Sequence, residues 1–242
     1  LQFLRIVGNR FIFGLIKYCV FESQTQLKFF KKKLFISSKH KYGVVYDKYS
    51  VERDKNVELN KIISQNKIRI GLLGGLSIYR RDYKLIIDAL SLIDISLRQK
   101  MEFVVLGNSL SKEAPCVIKE LKKLIKLVII RPMISEKEFE SYGGTCSFLL
   151  SPLKSDKPYG TYAGTGSLGD FVFLSRKIIL PKKVDPFGEF NKFCIYYNNH
   201  EDLSNIIKKI IVNNKNGIIH SDELKNFNKE KVLRELEYQE IF

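Results

Sequence analysis

The residues best suited to chemistry lie in a loop of small and hydroxyl-bearing residues at 160–170. Gly164, Thr165, Gly166 and Ser167 lead directly into a stretch with helical character. The N-terminus of a helix offers unpaired backbone N–H groups and the positive end of the helix dipole, which together bind anions. Glycine lets a phosphate approach the main chain, and the hydroxyls of Thr165 and Ser167 can donate further hydrogen bonds. The loop therefore predicts a phosphate site.

A second loop, at 74–82, joins glycines to arginines. Gly75 would let a phosphate approach the backbone, and Arg80 or Arg81 would grip it with two parallel hydrogen bonds. Taken alone, this pattern is more typical of a plain strand-to-helix turn with two surface arginines. It gains weight only if the fold brings it beside the first loop.

A third loop, at 131–135, contains no catalytic group. Main-chain atoms near Ile134 could frame a nucleobase. A plain connection between a strand and a helix explains this loop as well.

The elements that must position these loops alternate between strand and helix. Apolar runs predict strands at 68–73, 103–106, 127–130, 146–150, 177–180 and 193–197. Helical spacing predicts helices at 84–97, 112–126, 167–175 and 201–212, with a short helix capped by Ser135 and Glu138. Alternation of this kind predicts an α/β fold, a doubly wound parallel sheet of the Rossmann type. Ligands of such sheets bind beyond the carboxyl ends of the strands, where all three loops should lie.

The first 50 residues have a different character. They predict a strand at 18–21, a helix from Ser23 through Lys33 and a strand at 34–37. The polar stretch at 48–66 is typical of a linker, so we divide the chain into 1–50, a linker at 51–66 and a domain at 67–242. Since the chain begins at Leu1 with no leader, we expect a partial N-terminal layer in which Phe11, Phe13 and Leu15 are poorly covered.

The charge of the chain is strongly positive. Its 41 lysines and arginines exceed its 26 acidic residues and give a formal net charge of +15. Such a surface attracts phosphorylated small molecules, anionic lipid headgroups or nucleic acid. A composition biased toward AT-rich codons explains the lysines equally well. Because the lysines are spread along the chain rather than clustered with aromatic residues, no nucleic-acid partner is expected.

Neither metal binding nor membrane insertion is expected. The four cysteines lack metal-ligand spacing, and the three histidines are scattered. Reduced thiols fit a cytoplasmic protein. No apolar stretch reaches the roughly 18 residues that a spanning helix needs.

The three loops, in this order and spacing, resemble the C-terminal domain of GT-B glycosyltransferases that use UDP- or GDP-sugars. The matching segments are 70–81, 104–107, 129–139, 148–152, 159–170 and 176–181. The resemblance covers about residues 67–212 and rests on the whole pattern rather than on one diagnostic motif. It implies that residues 1–50 are a remnant of the N-terminal acceptor-side domain and the hinge.

The resemblance also implies a function. The chain would be a glycosyltransferase, or part of one, moving a sugar from a nucleotide-diphosphate donor to a glycan or lipid-linked acceptor, as in polysaccharide biosynthesis. The diphosphate would contact Gly75, Arg80, Arg81 and the segment 164–167, and the nucleobase would contact main chain near Ile134. Neither a cofactor nor a metal is implied, because helix N-termini and basic side chains stabilise the leaving diphosphate. A peripheral contact with the anionic inner face of a membrane fits the charge.

Departures from that family pattern leave the catalytic residues unassigned. Many retaining members carry two glutamates eight residues apart, where this chain has Ala163 and Phe171, with Asp170 adjacent to the second. Leu76 replaces the basic residue that usually follows the first-loop glycine. Neither the sugar, the acceptor nor the stereochemical outcome is predicted.

Two other classes of function compete. Residues 164–169 spell G-x-G-x-x-G, which would suit an NAD(P)-binding oxidoreductase or epimerase. That motif should follow the first strand and be followed by an acidic residue about 20 positions on, for which Asp185 is the candidate. The third class is a non-catalytic basic binding module.

Overall fold

The computed structural model is described for most of the chain. The described residues are 18–34, 41–46, 48–50, 67–107, 111–130, 132–161 and 163–238. Phe11, Phe13 and Leu15, on which the expectation of a poorly covered layer rests, lie outside these ranges, as does the predicted linker.

A six-stranded parallel sheet forms the centre of the molecule. Its strands are β3 (Ile68–Leu73), β4 (Met101–Leu106), β5 (Lys126–Ile129), β6 (Phe148–Leu150), β7 (Ile178–Pro181) and β8 (Cys194–Tyr197). Their spatial order is β5-β4-β3-β6-β7-β8, and every pairing is parallel. The chain order therefore reverses between β3 and β6, as in doubly wound nucleotide-binding sheets. The predicted fold class is confirmed, and all six predicted strands are present within about two residues of their predicted ends.

Helices cover both faces of this sheet. They are α2 (Tyr83–Ser91), α3 (Ile95–Arg98), α4 (Ala114–Leu124), α5 (Glu136–Gly143), α6 (Gly166–Leu174) and α7 (His200–Val212). Along β4, Phe103 and Val105 join one apolar cluster, whereas Val104 and Leu106 join the other. Because a strand in this position is buried on both sides, its residues from 103 to 106 form a continuous apolar run.

One predicted helix is wrong in part. The apolar stripe at 84–97 predicted a single helix, but α2 ends with Leu92 as its C-cap and α3 begins after Asp94. The chain turns here to bring Met101 to the start of β4, and Ile93 is buried within the turn. Tertiary packing therefore overrides the helical spacing.

The N-terminal residues form a small β-α-β unit. It consists of β1 (Tyr18–Phe21), α1 (Gln24–Leu34) and β2 (Lys41–Val44), with β1 and β2 parallel. Of the strand predicted at 34–37, Leu34 belongs to α1, and the remainder lies outside the described residues. Cys19, Phe21 and Leu27 make a separate small core.

Two carboxylates attach this unit to the large domain. Glu189 accepts hydrogen bonds from the backbone N–H groups of Gln24 and Thr25, at 3.0 and 2.6 Å, and so caps the start of α1. Asp185, fully buried, accepts a hydrogen bond from the Thr25 hydroxyl at 2.9 Å. Helix N-termini favour anions, so these contacts hold the unit over the carboxyl edge of the large sheet.

The last part of the chain packs against the same unit. A 3-10 helix (Ser221–Phe227) precedes α8 (Lys229–Tyr238). The ring of Phe227 lies 4.7 Å from that of Tyr46, and its carbonyl accepts a hydrogen bond from the Ser50 N–H at 3.1 Å. The Phe227 ring also packs on those of Phe171, Phe190 and Phe193 in the large domain, so this last part of the chain contacts both units. No helix among the described residues is long and apolar enough to cross a membrane.

Candidate functional site

The loops that follow β3 and β6 meet where the strand order reverses. The backbone N–H of Asp82 donates to the carbonyl of Pro152 at 2.7 Å, and that of Lys154 donates to the carbonyl of Arg80 at 3.2 Å. Because β3 and β6 are neighbouring parallel strands, both loops leave the same edge of the sheet. The structure therefore brings the predicted loop at 74–82 against residues 152–154, the start of the connection that leads to the predicted loop at 160–170.

Arg81 is buried at the end of β3. Its side chain is 7% exposed, and its Nε donates to the carbonyl of Leu73 at 3.3 Å. Gly74 makes room for it, because a Cβ at that position would lie 2.1 Å from the Arg81 Nη2. Nη1 has no hydrogen-bond partner among the described residues. Burial lowers the pKa of Arg81, although a guanidinium stays protonated in proteins.

Gly74, rather than Gly75, has the special backbone conformation. Gly74 has φ +82°, a left-handed value that glycine adopts without strain. The predicted contact residue Gly75 lies next to it, and its carbonyl accepts a hydrogen bond from the Tyr83 hydroxyl at 3.0 Å. That bond fixes the turn that leads from β3 toward α2.

Arg80 is exposed and points toward the other loop. Its Nε donates to the hydroxyl of Tyr159 at 3.0 Å, and its guanidinium lies 5.8 Å from the centre of that ring. Tyr159 was not singled out from the sequence. The contact is a second link between the two loops.

The start of α6 uses its own hydroxyls. Thr165 is the N-cap and accepts a hydrogen bond from the Ser167 N–H at 3.4 Å, while the Ser167 hydroxyl lies 2.7 Å from that of Ser151. Both side chains are buried, at 6% and 3% exposure. Both hydroxyls thus have a partner within the protein, and the phosphate contacts predicted for them stay predictions; Gly166 is exposed at the helix start.

The small β-α-β unit forms the opposite wall of a cleft at this helix start. The cleft is tight, about 10 Å³ in volume, and is lined by Glu22, Ser23, Gln26 and Tyr46 on one side and by residues of 160–169 on the other. The Glu22 carboxylate lies directly on Gly164, where a Cβ would be 1.4 Å from Oε2. Sequence reasoning missed Glu22, because no local pattern connects positions so far apart in the chain.

Lys48 adds a positive charge beside α6. Its Nζ lies 2.8 Å from the Asp170 carboxylate and 4.6 Å from the centre of the Phe139 ring. This lysine comes from the segment that was predicted to run into the hinge. The site thus combines Arg80, Arg81 and Lys48 with the acidic Glu22 and Asp170.

Ile134 lies apart from the two meeting loops. It follows β5, the edge strand, which is separated from β3 by β4. Its half-buried side chain packs against the apolar cluster that includes Val104. Ser135 and Glu138 form the predicted capping box. The nucleobase contact at Ile134 remains a prediction.

Asp185 is unsuited to binding a ribose. Its carboxylate accepts hydrogen bonds from Thr25, from the N–H groups of Glu189 and Phe190 at 2.9 and 2.8 Å, and from the Tyr196 hydroxyl. The G-x-G-x-x-G segment at 164–169 runs into the first turn of α6 and follows the fourth strand of the large sheet rather than the first. Both features argue against the dinucleotide-binding alternative.

Comparison with known proteins yields structural neighbours only. No family model and no curated protein matches the chain. The pneumococcal O-GlcNAc transferase GtfA, in complex with UDP and GlcNAc, superimposes with a TM-score of 0.57 at 9% identity, covering 92% of this chain and 44% of that chain. AviGT4, a glycosyltransferase involved in avilamycin A biosynthesis, gives a TM-score of 0.56 at 9% identity, covering 93% and 64%. A trehalose-6-phosphate structure from E. coli bound with UDP-2-fluoro glucose gives 0.53 at 8% identity, covering 93% and 58%.

These neighbours define the fold class. AviGT4 is described as a glycosyltransferase and GtfA as an O-GlcNAc transferase, and the GT-B-type fold expected from the sequence resemblance is confirmed. Identities of 8–9% establish the fold alone. The chain spans between 44% and 64% of the length of the three proteins.

Proposed function

We propose that this chain is the donor-binding half of a GT-B-type glycosyltransferase, which transfers a sugar from a nucleotide-diphosphate sugar to a glycan or lipid-linked acceptor. The observation that carries this proposal is the buried Arg81 at the reversal of the strand order. A guanidinium removed from water is costly unless an anion pairs with it. Its Nη1 has no partner among the described residues, so a diphosphate would complete its hydrogen bonding.

The surrounding geometry supports a phosphate rather than a simple surface ion. Gly74 and Gly107 approach so closely that a Cβ on Gly107 would lie 2.2 Å from the carbonyl oxygen of Gly74. Two strand ends therefore present main chain without side chains beside Arg81. Across the loop contact lies the start of α6, whose first N–H groups have no partner within the helix.

In such a reaction the bond between the anomeric carbon and the diphosphate oxygen breaks, and a bond to an acceptor oxygen forms. Negative charge grows on the departing diphosphate, and Arg81, with the exposed Arg80, would stabilise it. UDP is a suitable probe, because two of the structural neighbours were solved with UDP or a UDP-sugar. Association with an anionic membrane surface remains part of the proposal on the basis of the net charge.

The test is calorimetric titration of the intact chain with UDP, GDP and NAD. Arg81→Ala should weaken nucleotide binding by roughly ten- to a hundredfold, since a charge-assisted hydrogen bond is worth about 1.5–3 kcal/mol. Gly166→Val should also weaken it, by placing a branched side chain at the exposed helix start. Arg234→Ala is the matched control, because Arg234 is exposed and paired only within α8.

Two results would contradict the proposal. Wild-type affinity for every nucleotide in both Arg81→Ala and Gly166→Val would place the site elsewhere. Binding of NAD alone would favour the oxidoreductase alternative.

A further inference from the structure

Glu22 places a carboxylate on the loop that is proposed to hold phosphate. It follows β1 directly, and its backbone N–H donates to the Gln26 side chain at 2.9 Å. That bond fixes the main chain of Glu22 at the cleft wall. The side chain is exposed to solvent.

The contact with Gly164 is close. A Cβ on Gly164 would lie 1.4 Å from Oε2 and 2.5 Å from Oε1 of Glu22. The backbone of Gly164 does not have a left-handed φ, so conformational freedom does not explain glycine at this position. Glycine here provides space, and in this structure Glu22 fills that space.

The electrostatic potential at the start of α6 favours a carboxylate beside Gly164. Thr165 is the N-cap of α6, a helix of nine residues, so Gly164 lies just before the positive end of the helix dipole. A carboxylate and a phosphate are both anions that accept hydrogen bonds, and they therefore suit the same position. Both cannot occupy it together, because like charges in contact repel.

An independent feature indicates that an external anion belongs nearby. Arg81 is only 7% exposed, and its Nη1 has no hydrogen-bond partner among the described residues. It lies in the loop that is hydrogen-bonded to the loop leading to α6. Neither Glu22 nor any other described residue accepts a hydrogen bond from Nη1, so this guanidinium can bind an external anion.

We propose that Glu22 is an internal competitor of the donor diphosphate for the start of α6. The proposal rests on the proposed function above. The diphosphate binds only when the Glu22 side chain rotates away from Gly164 into solvent, while its backbone stays attached to Gln26. Glu22 thereby lowers the affinity for every anion at this position, and ligands with too little negative charge do not displace it.

The expected size follows from population arithmetic. When the binding-competent state makes up a fraction of the molecules, the measured affinity is reduced by that fraction. If Glu22 leaves the loop about one tenth of the time, removing its charge should tighten binding about tenfold.

The experiment is calorimetric titration of the intact chain with UDP, inorganic pyrophosphate and uridine. Glu22→Gln and Glu22→Ala should each bind UDP and pyrophosphate about tenfold more tightly than wild type. Uridine, which carries no phosphate, should bind equally to all of them. Glu201→Gln is the matched control, because Glu201 is an exposed carboxylate in the first turn of α7, and its removal should change nothing.

The outcomes separate this inference from the proposed function. Unchanged UDP affinity in both Glu22 variants would overturn the proposed competition. If Arg81→Ala still weakened UDP binding, the proposed donor site would remain supported. Weaker UDP binding in these variants would also overturn it, because Glu22 would then be a donor contact. An equal gain for uridine would overturn the role of charge and make Glu22 a steric obstacle. Failure of wild type and every variant to bind UDP or pyrophosphate would remove the donor site and the competition together.

Discussion

The attachment of the small unit through Asp185 can be tested directly by Asp185→Asn. The buried carboxylate accepts two hydrogen bonds on each oxygen: from Thr25 and the Glu189 N–H on Oδ1, and from the Phe190 N–H and Tyr196 on Oδ2. An asparagine keeps one accepting oxygen and turns an NH₂ group toward two donors. Two charge-assisted bonds are lost at about 1.5–3 kcal/mol each, partly offset because a neutral side chain is easier to bury.

The expected loss of unfolding free energy is therefore about 2–4 kcal/mol. For a chain of this size each kcal/mol lowers the melting temperature by about 2–4 °C, so the midpoint should fall by roughly 4–16 °C. Circular dichroism gives the midpoint. The N–H groups of Gln24 and Thr25 donate hydrogen bonds to Glu189, so their hydrogen-exchange rates report whether α1 detaches before the chain unfolds.

Two comparisons make the result decisive. Asp88→Asn removes an exposed carboxylate paired with Lys84, and it should change the unfolding free energy by less than about 0.5 kcal/mol. Thr25→Val removes only the hydroxyl that meets Asp185, and combined with Asp185→Asn it should show a coupling above about 0.5 kcal/mol. The small unit is not attached through Asp185 if Asp185→Asn is no more destabilising than Asp88→Asn. The same follows if the effects of Thr25→Val and Asp185→Asn on the unfolding free energy are additive.

Two further predictions concern the amino edge of the large sheet. Arg176, fully buried, donates to four backbone carbonyls near the ends of α5 and α6, so Arg176→Met should destabilise the chain by about 3 kcal/mol in denaturant unfolding. Arg234→Met should do little, and an equal loss in both variants would refute the role of burial. Burial raises the pKa of Glu102, but hydrogen bonds from Lys126 and Arg69 outweigh it, so that pKa lies below its ordinary value. The stability that Glu102 contributes is then fully present above its pKa in the unfolded chain, roughly 4.3, and is lost as the pH falls through its lower pKa in the folded chain. The difference in unfolding free energy between wild type and Glu102→Gln should therefore become smaller from pH 6 to pH 3.

The large sheet was predictable because its central strands, β4, β3, β6 and β7, are largely buried. Ile70 and Leu72 face one apolar cluster and Leu73 the other, so β3 is a short, mainly apolar segment bounded by Gly74. Such runs, alternating with helical spacing, have few arrangements that obey right-handed crossovers. The break after Leu92 was not predictable, because the apolar stripe continues past it and only the need to return to β4 ends the helix.

The site was predictable only in part. The loops of Arg81 and Gly164 contain glycine and lie after strands, which are local signals that a sequence displays. The contact of Glu22 with Gly164, and that of Arg80 with Tyr159, join segments that no spacing rule connects. Burial of Ser167 against Ser151 also depends on tertiary packing, which is why its hydroxyl was predicted to face a ligand.

The two walls of the cleft differ in how they are held, and this difference has a consequence for binding. The α6 wall belongs to the sheet domain, whose apolar clusters fix it. The wall that carries Glu22 is attached through Asp185 and Glu189 and through the packing of Phe227 on Tyr46. A ligand that moves one wall relative to the other must therefore strain or relax these attachments. By thermodynamic linkage, a change that weakens the attachments then changes the affinity for that ligand by the same free energy. Phe227 thus influences the cleft by holding Tyr46, one of its lining residues, from a segment that follows the last strand of the sheet.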